Sequence, residues 1–218
     1  MSSTFGQAGT TFKTSIQRDN KWKFTGKIRE TIKDRKHKKW GLLVYRCDYA
    51  SNDTWTKFLA AINQEMQRGL DIVQGEDLKD TLEMTPKEDK NTLDGATVDQ
   101  VRDIFKAWVE SDEAKAENGN ETNATLNYPR YTYCVHVDAD TAYVNLVQLR
   151  SEVDPQYIKY TEYSTEEEIN EEEDEEEDMD HVKVHLDYIG AYSYNSLYDP
   201  FTFDRYASYR DENDVSIG

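Results

Sequence analysis

The apolar residues of this chain fall into short blocks, and the period differs from block to block. The stretch "WGLLVYRCDY" (40–49) is a continuous apolar run ending in polar residues. Its length and its β-branched and aromatic content predict a strand buried on both faces. Trp55, Phe58, Leu59, Ile62, Met66 and Leu70 then recur at helical spacing, with Ser51 or Asn52 placed to cap and Gly69 and Gly75 at the exit. Leu82 and Met84 alternate in "DTLEMTPKED", a weaker strand signal, and "TLDGAT" reads as a turn. Thr97 with Gln100 makes a capping box for a second helix, whose stripe is Val98, Val101, Ile104, Phe105, Trp108 and Val109. "YPRYTYCVHVD" (128–138) is a clear strand with Pro129 at its start. Asp138 is placed to cap a short helix bearing Ala139, Ala142, Tyr143, Leu146 and Val147. Val182, Val184, Leu186 and Tyr188 alternate with Lys183, His185 and Asp187, the pattern of a strand with one wet face. The first half of the tyrosine-rich tail fits a helix that carries aromatics onto the body.

Read in order, the elements are β-α-β-(α)-β-α-β. With the second helix taken as an insertion between strands two and three, this predicts an α+β, ferredoxin-like split βαβ: an antiparallel sheet of order 4-1-3-2 with helices on one face. The domain plan is a disordered or basic N-terminal extension (1–38), one α+β domain (39–198) and an aromatic tail (199–218). An acidic loop at about 161–180 fills the connection before the last strand, where solvation makes charge inexpensive.

Composition explains that plan. Apolar residues are 37% and charged residues 32% of 218, so part of the chain must lie outside the core. The net charge of −18 disfavours nucleic acid and anionic membranes over most of the surface. Against it stand eleven Lys/Arg and three acids between Lys13 and Lys39, a basic island of about +8. No apolar run reaches the roughly 18 residues of a membrane span. "MSSTFGQAGTTFK" lacks a basic start followed by an apolar stretch, so no secretory signal is read. Cys47 and Cys134 show no CxxC spacing and are expected as reduced thiols in an intracellular protein, cytoplasmic or nuclear.

Catalytic motifs are sparse. There is no GxSxG elbow, no GxxxxGK[ST] loop and no GxGxxG after a strand. His181 and His185 sit four apart beside acidic residues, which makes them metal candidates, but their frame reads HVKVH rather than HExxH. The simpler reading is two solvent-facing imidazoles, and no cofactor or metal is expected. The glutamate run lacks the glycine of an EF-hand loop. RNA-binding domains of the ferredoxin-like class stack bases on aromatics of the first and third strands. Tyr45, Arg130, Tyr131 and Tyr133 occupy such positions, without the accompanying glycines. Lys33, Arg35, Lys36, Lys38 and Lys39 form the densest part of the basic island, able to meet nucleic acid, an import receptor or the protein's own acidic loop.

Taken together, "KWGLLVYRCDY", Trp55 and Phe58, "LDGATVDQVRDIFKAWV" and "PRYTYCVHVD" resemble a group of uncharacterised intracellular proteins of filamentous ascomycete fungi. The likeness spans residues 39–138 and, more loosely, 182–197. That group carries no assigned activity, so the resemblance implies a fungal intracellular origin and nothing about chemistry. The expected function is a non-enzymatic protein-interaction or regulatory module, contacting another protein through its charged segments or an aromatic sheet face. RNA binding through the sheet tyrosines is the alternative, and a cryptic enzyme the third possibility.

Overall fold

The computed structural model describes residues 24–120, 128–149, 181–199, 201–209, 211 and 215–216. The N-terminal extension before residue 24 and the acidic loop at 161–180 lie outside the described residues. Every side chain of β1 (Leu43–Arg46) is buried, as an unalternated apolar run requires when both faces of a sheet are covered. β1 lies between two parallel neighbours. Leu43 stands opposite Thr85 of β2 (Thr85–Lys87) and opposite Cys134 of β3 (Tyr133–Val137). β4 (Tyr143–Gln148) pairs antiparallel with β3, and β5 (His181–His185) antiparallel with β4. The two-residue β6 (Val215–Ser216) completes a six-stranded mixed sheet of order β2-β1-β3-β4-β5-β6.

This sheet overturns the ferredoxin-like expectation. The first and third strands are neighbours, but they run parallel, and the order is not 4-1-3-2. One misread element accounts for much of the error. Residues 138–147 are not a helix but the turn and second strand of a hairpin, with Asp138 accepting the Asp140 amide at 2.9 Å. Ala139, Ala142, Tyr143, Leu146 and Val147 fit the helical spacing. In β4, however, Val144 and Leu146 bury on one face while Val147 buries on the other. A short apolar run satisfies either period, and pairing with β3 and β5 decides the outcome here. A smaller correction concerns 129–132, a single helical turn with Pro129 in its first positions; the strand begins only at Tyr133.

The helices lie on both faces rather than one. From β1 the chain passes to β2 through α1 (Asn52–Ile72), and from β2 back over β1 to β3 through α2 (Val98–Val109). The two crossovers travel in opposite directions along the sheet. They keep the same hand only by running over opposite faces. Trp55, Phe58, Ile62, Met66 and Leu70 of α1 therefore pack on Leu42 and Val44. Val101, Phe105 and Trp108 of α2 pack on Leu43 and Tyr45, on the far side. The first face is completed by α3 (Ala191–Ser196) and α4 (Phe201–Ser208), which bring Tyr194 and Phe203 onto it. Residues 24–34, helical with a π-helical last turn at Glu30–Asp34, also join this face through Ile28. Part of the expected extension is thus built into the fold. Both helix starts match the sequence: Ser51 accepts the Thr54 amide, and Thr97 with Gln100 forms the reciprocal capping box.

Candidate functional site

In open sheets with parallel strands, ligands bind beyond the carboxyl ends of the strands, where neighbouring connections diverge to opposite faces. Here the diverging connections leave β1 and β2, and the chain fills the region beyond Arg46, Lys87 and the neighbouring Val137 with its own residues. The "LDGAT" turn folds over it. The Gly95 amide donates to the Cys47 carbonyl at 2.9 Å, in a backbone conformation (φ +72°) that favours glycine. Buried His136 donates from Nε2 to the Ala96 carbonyl at 2.9 Å, which leaves Nδ1 to accept from the Asn145 amide at 3.1 Å. Held by these two partners, the imidazole pins the turn to β3. On the other side of the crevice, Arg46 donates to the Asp48 carbonyl (2.9 Å) and to Asn52 Oδ1 (2.8 Å), and lies 4.3 Å from the centre of the Tyr49 ring. It also donates to the Ser51 carbonyl and Glu88 and lies 5.4 Å from the centre of the Trp55 ring. Arg46 thereby holds the β1–α1 loop closed.

The sheet residues expected to stack bases are not brought together on an open surface. Tyr45 is buried under Phe105 on one face, and Tyr133 is buried under Phe203 on the other. Tyr131 lies on the helical turn before β3, stacked on Trp108 at 5.8 Å. Burial pushes the Tyr45 and Tyr131 phenols well above their usual range. The aromatic sheet face expected as a contact surface is therefore covered on both sides.

Arg130 is also internal. Its five N–H groups are all engaged: Nε and Nη2 with Glu117 (2.8 and 3.4 Å), Nη1 with the carbonyls of Gly41 and Glu83 (3.2 and 3.1 Å), and Nη2 with Thr85 Oγ1 (2.9 Å). It ties the entrances of β1, β2 and β3 to the helix Asp112–Glu117. Glu117, essential to this arrangement, had no distinguishing mark in the polar stretch "SDEAKAENGN". Lys39 bridges to Glu83 at 2.9 Å and to Glu117 at 3.3 Å, so it belongs to the same network. Burial opposes ionisation of Glu83. Hydrogen bonds from Lys39 and Thr85, with the Lys39 and Arg130 charges, outweigh it and hold the carboxyl below its ordinary value. Of the other basic residues, Lys33 pairs with Asp77 at 2.7 Å, and Lys36 donates to the Lys33 carbonyl. Arg35 and Lys38 are exposed. These four form a basic edge separate from the tyrosines.

His181 and His185 share one face of β5, but four residues of strand separate them by about 13 Å. That is too far to share a zinc ion, whose bonds to nitrogen are about 2 Å. Among the described residues no group of three or more His, Cys, Asp or Glu is placed to hold a metal ion. Cys47 and Cys134 are free and buried; burial pushes the Cys47 thiol up to about 12 and raises Cys134 as well. The register sets Cys134 opposite Leu43, four residues from Cys47, well beyond the roughly 7 Å limit for a disulfide.

What remains on the surface is aromatic. Tyr188, Tyr192, Phe201 and Tyr209 are 46, 57, 44 and 61% exposed, and Ile72 at the end of α1 is 69% exposed. Gly69 of α1 sits against the backbone at Gly190 and Ala191, which places Ile72 near this group. Tyr188 borders an apolar cavity of about 20 Å³ that Met66, Gly190, Ser193 and Tyr206 also line. Tyr192 and Phe201 lie on α3 and α4, and Tyr188 and Tyr209 lie just before and just after this helix pair, so the exposed rings all belong to one stretch of chain. No sequence pattern revealed it, because tyrosines along a helical tail give no indication of which rings turn outward.

No helix among the described residues is long and apolar enough to cross a membrane. No protein-family model, curated protein or solved structure matches this chain.

Proposed function

We propose that the chain is a non-enzymatic intracellular protein-interaction module, cytoplasmic or nuclear, whose principal contact surface is the aromatic face carried by residues 188–209. The observation that carries this reading is the exposure of Tyr188, Tyr192, Phe201 and Tyr209 together, while Tyr45, Tyr133 and Tyr194 are packed inside. Tyrosine and phenylalanine supply large, rigid contact area at low entropic cost, and interface cores are enriched in them. The filled region beyond the carboxyl end of β1 supports binding over catalysis, since its charges and donors are engaged internally. The basic edge at Lys33, Arg35, Lys36 and Lys38 offers a second, salt-sensitive contact.

The test is affinity capture from extract of the source cells with the wild type and with the double variant Tyr188→Ser/Tyr209→Ser, checked for an unchanged melting temperature. A protein held by the wild type and released by the double variant is the expected result. Equal capture by both, or recovery of RNA in place of protein, would overturn the proposal.

A further inference from the structure

The basic edge is held more firmly than a run of lysines and arginines requires. The helical stretch 24–34 ends in it, with the Arg35 amide donating to the Glu30 carbonyl at 3.0 Å and the His37 amide to the Thr31 carbonyl at 3.1 Å. Lys36 stands between them at φ +65°, a left-handed conformation that costs a residue with a β-carbon energy and that falls mostly to glycine or asparagine after a helix. His37 then turns inward. It is buried, with its ring 4.4 Å from that of Tyr128 and 5.7 Å from that of Tyr131. The Lys38 amide donates to the Glu117 carbonyl, and the Trp40 amide to the Thr81 carbonyl, both at 2.9 Å. The backbone is thus fixed along its length while Lys33, Arg35, Lys36 and Lys38 are exposed. Within 33–38 these four cations stand against one acid, Asp34. Acids on the neighbouring segments are already engaged: Asp77 by Arg29 and Lys33, Glu83 by Lys39, and Glu117 by Lys39 and Arg130.

We propose that this edge is a preorganised docking site for a short acidic segment of a partner protein, whose successive carboxylates meet Arg35, Lys36 and Lys38. Charge complementarity selects the occupant. Arg35 to Lys38 spans no more than about 11 Å, so a few consecutive acids stay within the edge. A strand of nucleic acid would carry its phosphates past it, over a chain whose net charge is −18. A second copy of this chain meets the same repulsion. Holding the edge in place before the partner arrives lowers the cost of ordering it on binding.

This inference rests on the reading of the chain as an interaction module and concerns its second contact. Its test uses purified full-length protein and a defined probe, so it can fail while capture through the aromatic face stands. Fluorescein-labelled hexaglutamate is titrated at low salt against the wild type and against Arg35→Gln/Lys36→Gln/Lys38→Gln, read by fluorescence anisotropy, with labelled oligouridine as the competing class. The wild type should bind hexaglutamate more tightly than oligouridine, and the triple variant should lose at least fivefold in affinity. No binding to the wild type, equal affinity of the triple variant, or tighter binding of oligouridine would each overturn the proposal. His37→Ala, checked by circular dichroism, keeps Lys33, Arg35, Lys36 and Lys38 but removes the ring that anchors them. It should lose at least twofold; an affinity equal to the wild type would show that the edge acts as diffuse charge and is not preorganised.

Discussion

The two faces of the sheet are closed in different ways. Over Leu43, Tyr45 and Cys134 most of the buried cover comes from residues 93–131, namely Leu93 and Ala96 of the turn, α2, Ala114, Tyr128 and Tyr131, with His37 and Tyr198 reaching only Tyr128 and Tyr131 at its edge. Rings stack in series there, Phe105 on Trp108 and Trp108 on Tyr131. On the opposite face α1 covers only part of the sheet. The rest is assembled from Ile28 near one end of the chain and from Ile189, Tyr194, Leu197 and Phe203 near the other. That second cover leaves a cavity under its rim and aromatics on its outside. A cover built from distant chain segments closes long loops for each contact it gains, so it belongs to the part of a protein that opens first. The contact surface proposed above and the cover expected to open first lie on the same face.

The strongest test of the contrast compares Phe105→Ala with Phe203→Ala; both side chains are fully buried. Phe105→Ala should lower global stability by about 3–5 kcal/mol, read by urea unfolding. Phe203, stacked on Tyr133 at 5.8 Å, should act differently. Its loss should speed amide exchange throughout 188–209 while β1 and β3 stay protected. If exchange rises uniformly across the sheet instead, the two covers are one cooperative unit.

Next in size is the buried pair between Glu117 and Arg130. Removing one partner strands the other charge inside, so Glu117→Ala should cost about 3–5 kcal/mol. The double variant Glu117→Ala/Arg130→Met should cost less than the sum of the singles, since the stranded charge is gone. Additive losses in this cycle would mean the two side chains act independently.

These residues mark the limit of what the sequence discloses. α1 and α2 are legible because a long apolar stripe has one period and their caps are local: Ser51 and the Thr97–Gln100 box need no distant partner. β1 is legible because a continuous apolar run requires cover on both sides. That second cover also implied helices on both faces, which the ferredoxin-like plan did not allow. The β3–β4 hairpin is illegible because its five apolar residues satisfy two periods, and only pairing across the sheet chooses between them. Arg130 reads as a surface cation until Glu117, Gly41 and Thr85 are brought round it from three separate segments. The aromatic face depends likewise on which rings of 188–209 meet the sheet.

A smaller effect probes the docking of α3 on α1. Gly69 lies within α1, where alanine would ordinarily gain about 1 kcal/mol. A Cβ there would stand 2.9 Å from the Ala191 amide nitrogen, a backbone atom that can yield only if α3 shifts. Gly69→Ala should therefore destabilise by about 1–3 kcal/mol in spite of the gain in propensity. Amide exchange should rise in 188–209 before it rises anywhere on the α2 face. A stabilised variant would show that α3 is free to move outward without loss.

The smallest effect is a pH dependence at the mouth of the Arg130 network. Glu83 has a carboxyl pKa held below its ordinary value of 4.5, chiefly by Lys39 and Thr85 acting against burial. A carboxylate depressed in the folded state stabilises the fold above the unfolded pKa, and loses that contribution as pH falls through the folded pKa. Lys39 is raised above its ordinary 10.5, first by its hydrogen bond to Glu83, so its contribution is complete below that value and is lost as pH rises through the folded pKa. The pair should thus add a shallow plateau between these limits. Both side chains are about a third or more exposed, and solvent screening keeps the amplitude small. Melting curves from pH 3 to 6 should show Glu83→Gln with a weaker acid-side slope than the wild type. An identical slope would assign the acid sensitivity to other carboxylates and leave only the Glu83 main-chain carbonyl as its link to Arg130.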